Sequence, residues 1–241
     1  MTINRYLPNQ HGAWAMLLLP FLTGLSAAGG SIDHIPLFLC WLLMYLFSFP
    51  LLQWIKTGKK ERYFKPAALY GALLVPLAAV VIAAEPRLIG YGALLLILFA
   101  IPVYYAKMKN ERALLNDIAA IVLFCSFIYP VVYVSAGSEA DWGRTTLLFI
   151  LLGLYFVGTA LYVKTIIREK KNPRYYRLSL AYHTLLLPFA AWLSVPLLVP
   201  FAILLLRAAV LPKRNLKVKQ TGMAEVGFAL MLYVSVVLAY L

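Results

Sequence analysis

Apolar residues fill nine stretches of the chain, and polar residues collect between them. The stretches run roughly 13–30, 36–55, 66–84, 88–105, 117–136, 145–163, 178–194, 195–211 and 223–241. Within each, the apolar residues are continuous rather than alternating, which predicts helices and not barrel strands. Lipid offers a backbone no hydrogen-bond partners, so a segment this apolar must satisfy its own amides. The seventh and eighth stretches run together through AWLSVPLLVP. Ser194 and Pro196 predict a tight turn there, with one long helix as the alternative.

Composition strengthens the membrane reading. The chain is 63% hydrophobic and 13% charged, with mean hydropathy +0.83; a soluble domain is nearer one-quarter charged. The charges fall in alternate loops. Twenty of the 22 Lys and Arg lie in the N-terminal segment and the links 2–3, 4–5, 6–7 and 8–9, leaving Arg87 and Arg144 for the opposite side. This predicts a cytoplasmic N-terminus and an external Leu241 in a bacterial plasma membrane. The formal charge of +13 then reflects topology and attraction to anionic lipid. No basic soluble domain exists to bind nucleic acid. Cys40 and Cys125 fall inside apolar stretches, which argues against a disulfide, and no Cys or His spacing predicts a metal site. Arg5 ahead of the first stretch and the small residues 26–28 after it mimic a signal peptide. An uncleaved helix is expected, because the repeat described next requires it.

The chain repeats itself. Residues 62–79 read RYFKPAALYGALLVPLAA and residues 174–191 read RYYRLSLAYHTLLLPFAA, eight identities in eighteen without a gap. Lys56-Thr57 likewise matches Lys164-Thr165. Stretches 1–4 therefore pair with 5–8 and the ninth stands over. Four spans per copy is even, so the copies insert in the same direction, a parallel repeat. The expected fold is an all-α integral membrane protein of nine transmembrane helices. Its first four-helix repeat covers 1–112, the second 113–212, and a basic loop with the ninth helix covers 213–241.

Four plus four plus one helices, with larger cytoplasmic loops after the second and sixth, resembles the UbiA prenyltransferase superfamily. Segment 101–137, IPVYYAKMKNERALLNDIAAIVLFCSFIYPVVYVSAG, looks like that superfamily's passage from the fourth helix into the fifth. At closer range the whole chain resembles the bacterial YwiC-like membrane proteins, through PNQHGAWAMLLLPFLTG, GTALYVKTIIRE and KQTGMAEVGF. The UbiA resemblance implies paired aspartates in loops 2–3 and 6–7 that hold Mg²⁺ against a prenyl diphosphate. This chain departs from that pattern. Its three aspartates are Asp33, Asp117 and Asp141. Loop 2–3 offers Glu61 and loop 6–7 offers Glu169, one carboxylate each, which cannot rebuild a paired site. No metal and no cofactor is expected, and any transferase would be degenerate or metal-independent.

Where the superfamily gathers acids, this chain gathers bases. Lys56, Lys60 and Arg62 follow the second stretch, Lys107 and Arg112 the fourth, and Lys164 and Arg168 the sixth. Such cations bind phosphate directly, although basic residues at helix ends also serve only to orient a helix. Tyr155, Thr159 and Tyr162 share one helix face, and Lys164 with Arg168 the roughly opposite one. An unbroken sixth helix cannot turn both sets into one cavity, and the hydroxyl stripe is the better lining. Gln53 shares the face of Lys56 and Lys60. Asn9 reads as an N-cap or a pocket residue, His11 as a proton carrier, and Trp14 as an anchor or pocket wall. Asn116 and Asp117 open the fifth stretch in the corresponding place. Glu225, near membrane depth, calls for a basic partner. His183 replaces Gly71 of the first copy and reads mainly as a hydrogen-bonded packing residue.

Two functions follow from these residues. One is the binding of an anionic amphiphile, an isoprenoid- or lipid-phosphate, at a basic cytoplasmic-facing pocket. His11 and Asp117 would be its candidate catalytic groups and membrane lipids its partners. The alternative is a small-anion transporter or channel.

Overall fold

The structure, a computed structural model, describes residues 7, 8, 11–170, 172–214 and 216–240, with the His11 side chain outside them. Asn9, the expected N-cap, also lies outside. The described residues form ten α-helices and no β-strand: α1 (His11–Ala28), α2 (His34–Thr57), α3 (Lys60–Ala84), α4 (Leu88–Lys107), α5 (Leu114–Cys125), α6 (Ile128–Ala136), α7 (Trp142–Ile167), α8 (Pro173–Leu193), α9 (Leu198–Val210) and α10 (Val218–Tyr240).

Local chemistry explains the boundaries. Gly58 ends α2 in the left-handed conformation, φ 68°, and its N–H bonds back to the Trp54 carbonyl. Glycine takes that conformation without a Cβ clash. Asn172 opens α8: its Oδ1 accepts from the backbone N–H of Arg174 at 3.1 Å and of Tyr175 at 3.4 Å, and Pro173 follows in the first turn. Ser194 is extended, φ −167°, and separates α8 from a 3-10 turn, Val195–Leu197, that leads into α9. AWLSVPLLVP is therefore a break and not one long helix. The expected span 117–136 divides into α5 and α6. Pro130 has no N–H to return to Ser126, and the Ser126 hydroxyl donates to the Val122 carbonyl at 2.7 Å, a bond that bends helices.

Among the described residues, seven helical stretches are long and apolar enough to cross a membrane: α2, α3, α4, α5 with α6, α7, α9 with its flanking turns, and α10. The protein is thus an all-α, multi-pass membrane protein. The other two expected spans fall outside that group. The described apolar part of α1, Gly12–Ala28, is shorter, and α8 carries Arg174, Arg177, Tyr182 and His183 among its leucines.

The chain folds as two compact units, one built on Pro20–Phe149 and the other on Ile150–Leu241 with the start of α1 through Leu19. In the first, α2 packs along α3 and α4 along α5. Its core is aromatic: Trp41 stacks on Phe127 with centroids 4.2 Å apart and planes 8° apart, and meets Phe124 edge-on. The His34 ring accepts from the Ser31 N–H through Nδ1 at 3.0 Å and donates from Nε2 to the Val131 carbonyl at 3.0 Å, tying α2 to α6. In the second unit α8 packs on α9 and α9 on α10. Tyr182 donates to the Leu154 carbonyl at 2.9 Å, which joins α8 to α7.

Gly24 is the most closely packed of the described glycines. A Cβ there would stand 2.7 Å from Val131 Cγ1, and Val131 is fully buried. Gly24→Ala is expected to destabilise the detergent-solubilised protein by about 1–3 kcal/mol in thermal unfolding. Val131→Ala in the same chain restores part of the loss. Equal melting temperatures for wild type and Gly24→Ala would refute this packing.

Candidate functional site

Three charged side chains of the second unit are buried, Lys164, Arg207 and Glu225, and the last two face each other. On α9 the buried residues Pro200, Phe201, Leu204, Arg207 and Ala208 form one stripe. On α10 the stripe is Thr221, Glu225, Ala229, Leu232 and Val236. Arg207 and Glu225 thus replace apolar residues in otherwise ordinary packing faces. Each is only 3% exposed. Arg207 Nη1 donates to Glu225 Oε2 at 2.5 Å, and Nη2 reaches Thr159 Oγ1 of α7 at 3.4 Å. The guanidinium lies over the Tyr162 ring at 4.3 Å and over the Phe228 ring at 5.0 Å, so aromatic faces replace water around the cation.

The pairing balances charge but leaves hydrogen-bonding capacity unused. Arg207 Nε, Glu225 Oε1 and the Tyr162 hydroxyl are buried, and none of the three meets a hydrogen-bond partner among the described residues. Leaving such groups unpaired in a protein interior is costly. The three together present a donor, an acceptor and a hydroxyl able to act as either. Tyr155, also buried, stands within electrostatic reach of both charges.

The geometry sorts the residues singled out from the sequence. Tyr155, Thr159, Tyr162 and Glu225 come together, as the hydroxyl stripe and the need for a basic partner suggest. The helix α7 runs unbroken through Ile167, so Lys164 leaves it on a different face from Tyr155 and Tyr162. It is buried at 5% exposure, two residues beyond Tyr162 and near the opposite side of α7. Arg168 is exposed, as are Lys60, Arg62, Lys107 and Arg112. Lys56 forms an ion pair with Glu111, with side chains 34% and 27% exposed. Asn116 donates to the Glu111 carbonyl at 2.9 Å; Gln53, Asp117 and Trp14 are half-buried. His183 is buried, and its Nδ1 donates to the Ser179 carbonyl at 2.7 Å, the packing role expected of it. Gly158 makes room for it, since a Cβ there would lie 3.2 Å from His183 Nε2.

Arg207 and Glu111 are the partners that sequence reasoning missed. Arg207 reads from charge alone as one more cation of the link before α10, yet it sits inside α9. Its position three residues after Leu204 and seven after Pro200, on the buried stripe, was the available signal.

The sequence carries a further identification. The family described as YwiC-like protein matches residues 7–133. A Bacillus subtilis (strain 168) protein, "Uncharacterized protein YwiC", is 39% identical over 226 residues, covering 91% of this chain and 92% of its own. The chain belongs to the YwiC-like family. A second relative, an "Uncharacterized protein" of Haemophilus influenzae, is 35% identical over 240 residues, covering 97% of this chain and 98% of its own. No solved structure matches the chain.

In this YwiC-like protein the Arg207–Glu225 pair makes a thermodynamic expectation. Removing one partner strands the other charge in an apolar interior, which costs about 3–5 kcal/mol, whereas replacing both by apolar residues of similar volume is near neutral. Arg207→Met and Glu225→Leu are each expected to lower the melting temperature markedly, and the double variant to recover most of the loss. Additive losses in the double variant would show that the two side chains are not coupled.

Proposed function

We propose that this protein binds the polar head of an anionic amphiphile within the bilayer, at the Arg207–Glu225–Tyr162 cluster. The observation that carries this reading is the set of three unpaired buried polar atoms beside a charge-balanced pair. A net-neutral site rejects a doubly charged anion. It accepts a group that offers both acceptors and a donor. A monoanionic phosphate monoester does so: its oxygens accept from Arg207 Nε and Tyr162, and its acid hydroxyl donates to Glu225 Oε1. Intramembrane ionisable residues mark such functional sites more often than they add stability.

The exposed cations complete the reading. With the N-terminus cytoplasmic and Leu241 outside, Lys60, Arg62, Lys107, Arg112 and Arg168 all face the anionic inner leaflet of the bacterial plasma membrane. Each contributes about 1 kcal/mol of attraction for anionic heads near that surface. They concentrate the ligand, and the buried cluster orders its head. The halves 1–112 and 113–212 are, in this view, two copies of one four-helix unit; the second supplies Tyr162 and Arg207, and the segment 213–241 supplies Glu225.

The test uses the purified full-length chain and dodecyl phosphate as probe. Saturating probe is expected to raise the melting temperature; at 100 times the dissociation constant the gain is about 2.7 kcal/mol. Tyr162→Phe keeps the ring over Arg207 and deletes the hydroxyl, so affinity should fall roughly tenfold, the loss of one hydrogen bond to a charged group. A melting temperature indifferent to dodecyl phosphate, together with co-purified lipid in bulk membrane proportions, would defeat the proposal. Chloride or phosphate efflux from reconstituted vesicles would assign a small-anion pathway instead.

A further inference from the structure

A fourth buried polar atom of the second unit lies on α8. The buried stripe of that helix is Ser179, His183, Leu186 and Ala190. In the matching sequence 62–79, Ala67 and Gly71 stand where Ser179 and His183 stand here. Ala67 is buried as well, so an alanine fills such a position without a hydroxyl. Ser179 is 1% exposed, and its Oγ meets no hydrogen-bond partner among the described residues.

The neighbours of Ser179 fix where it faces. Around the helix it lies between Tyr182 and His183, and both of those meet α7: a Cβ on Gly158 would stand 3.2 Å from Tyr182 Cε1 and 3.2 Å from His183 Nε2. The short link 168–172 joins α7 to α8, and Gly158 and His183 lie almost equally far from it, so the two helices run antiparallel. One turn back along α8 from His183 is Ser179; one turn forward along α7 from Gly158 is Tyr162. Leu180, next in the chain, packs against the cluster of Tyr162, Ile166 and Ala208. The register with α9 agrees. Tyr176 donates to the Ala209 carbonyl at 2.9 Å, and α9 runs back along α8 after the turn at 194–197. One turn on from Tyr176, at Ser179, the level on α9 therefore falls to Leu206 and Arg207. His183 stands within electrostatic reach of Arg207.

We propose that Ser179 is a third donor of the head site and makes that site selective for phosphate monoesters. The inference rests on the headgroup reading above and adds to it a residue and an oxygen count. Arg207 Nε, the Tyr162 hydroxyl and the Ser179 hydroxyl supply three donors, one for each terminal oxygen of a monoester. The acid hydroxyl of the monoanion donates in turn to Glu225 Oε1. A carboxylate or a phosphate diester has two free oxygens and no acid hydroxyl. Either one leaves a donor and Glu225 Oε1 unpaired in the interior, which costs affinity.

The experiment uses the full-length chain in detergent and follows, by calorimetric titration and thermal unfolding, the binding of dodecyl phosphate, dodecyl methyl phosphate and dodecanoate. Wild type is expected to bind the monoester at least tenfold more tightly than the diester or the carboxylate. Ser179→Ala should lose about tenfold for the monoester, the worth of one hydrogen bond to a charged group, and less than about twofold for the other two. Without ligand, the same variant should melt at or above the wild-type temperature, because it deletes an unpaired buried hydroxyl. A lower melting temperature for the empty variant would give the hydroxyl a structural role and overturn the proposal. Unchanged monoester affinity in Ser179→Ala would overturn it too, as would equal wild-type affinities for the three probes, a ranking that does not depend on any variant. In those cases the head site stands if dodecyl phosphate still binds in a Tyr162-dependent way. If no probe binds or moves the melting temperature, the head site falls and takes Ser179 with it. Inorganic phosphate should bind at least tenfold more weakly than dodecyl phosphate; equal binding would mark a free-anion site and overturn the amphiphile.

Discussion

A hydrocarbon interior has nothing to offer a polar group, so every amide, hydroxyl and charge that enters it must find a partner inside the protein. That constraint shapes each unit of this chain. It makes the apolar stretches helical. It also decides how the helices are joined laterally, since the side chains that cross between them donate to backbone carbonyls or to one another. The His34 ring does so on the Val131 carbonyl, Tyr182 on the Leu154 carbonyl and Tyr176 on the Ala209 carbonyl at 2.9 Å. Where a helix breaks, at Ser126 or Ser194, the freed groups are taken up by short turns. The Leu197 N–H, for example, bonds to the Ser194 carbonyl at 2.9 Å.

Against that background the α7–α9–α10 cluster stands out, because it gathers three buried polar atoms without hydrogen-bond partners around a buried ion pair. Arg207 and Glu225 satisfy each other's charge, and Tyr162 and Phe228 shield the cation. A purely structural pair would be expected to satisfy its remaining atoms as well, because partly satisfied polar networks are less favourable than apolar packing.

Much of this was legible in one sequence, and the parts that were not have a common cause. The nine apolar stretches each acquired helix, and the polar stripe Tyr155–Thr159–Tyr162 packed inward as hydroxyls in a span do. The choice between that stripe and Lys164 with Arg168 followed once α7 proved unbroken. The break inside 117–136 was harder to see, because its cause is one proline and one serine in an otherwise apolar run. The basic residues misled most. By count alone Lys56 and Arg207 were two more cations near helix ends, yet one is paired with Glu111 and the other is buried against Glu225.

Apolar runs, helix caps and hydroxyl spacing are properties of neighbouring residues, and neighbouring residues obey helical periodicity. The sequence by itself therefore determined that this is an all-helical membrane protein, roughly where its apolar stretches lie, and which face of α7 carries its polar groups. Partnership between residues far apart in the chain has no such periodicity. That Arg207 would meet Glu225 eighteen residues later, and Thr159 forty-eight residues earlier, depended on how α7, α9 and α10 pack. Only the tertiary structure could decide it, because a charge in an apolar helix is tolerable only once packing has brought its counter-charge within reach.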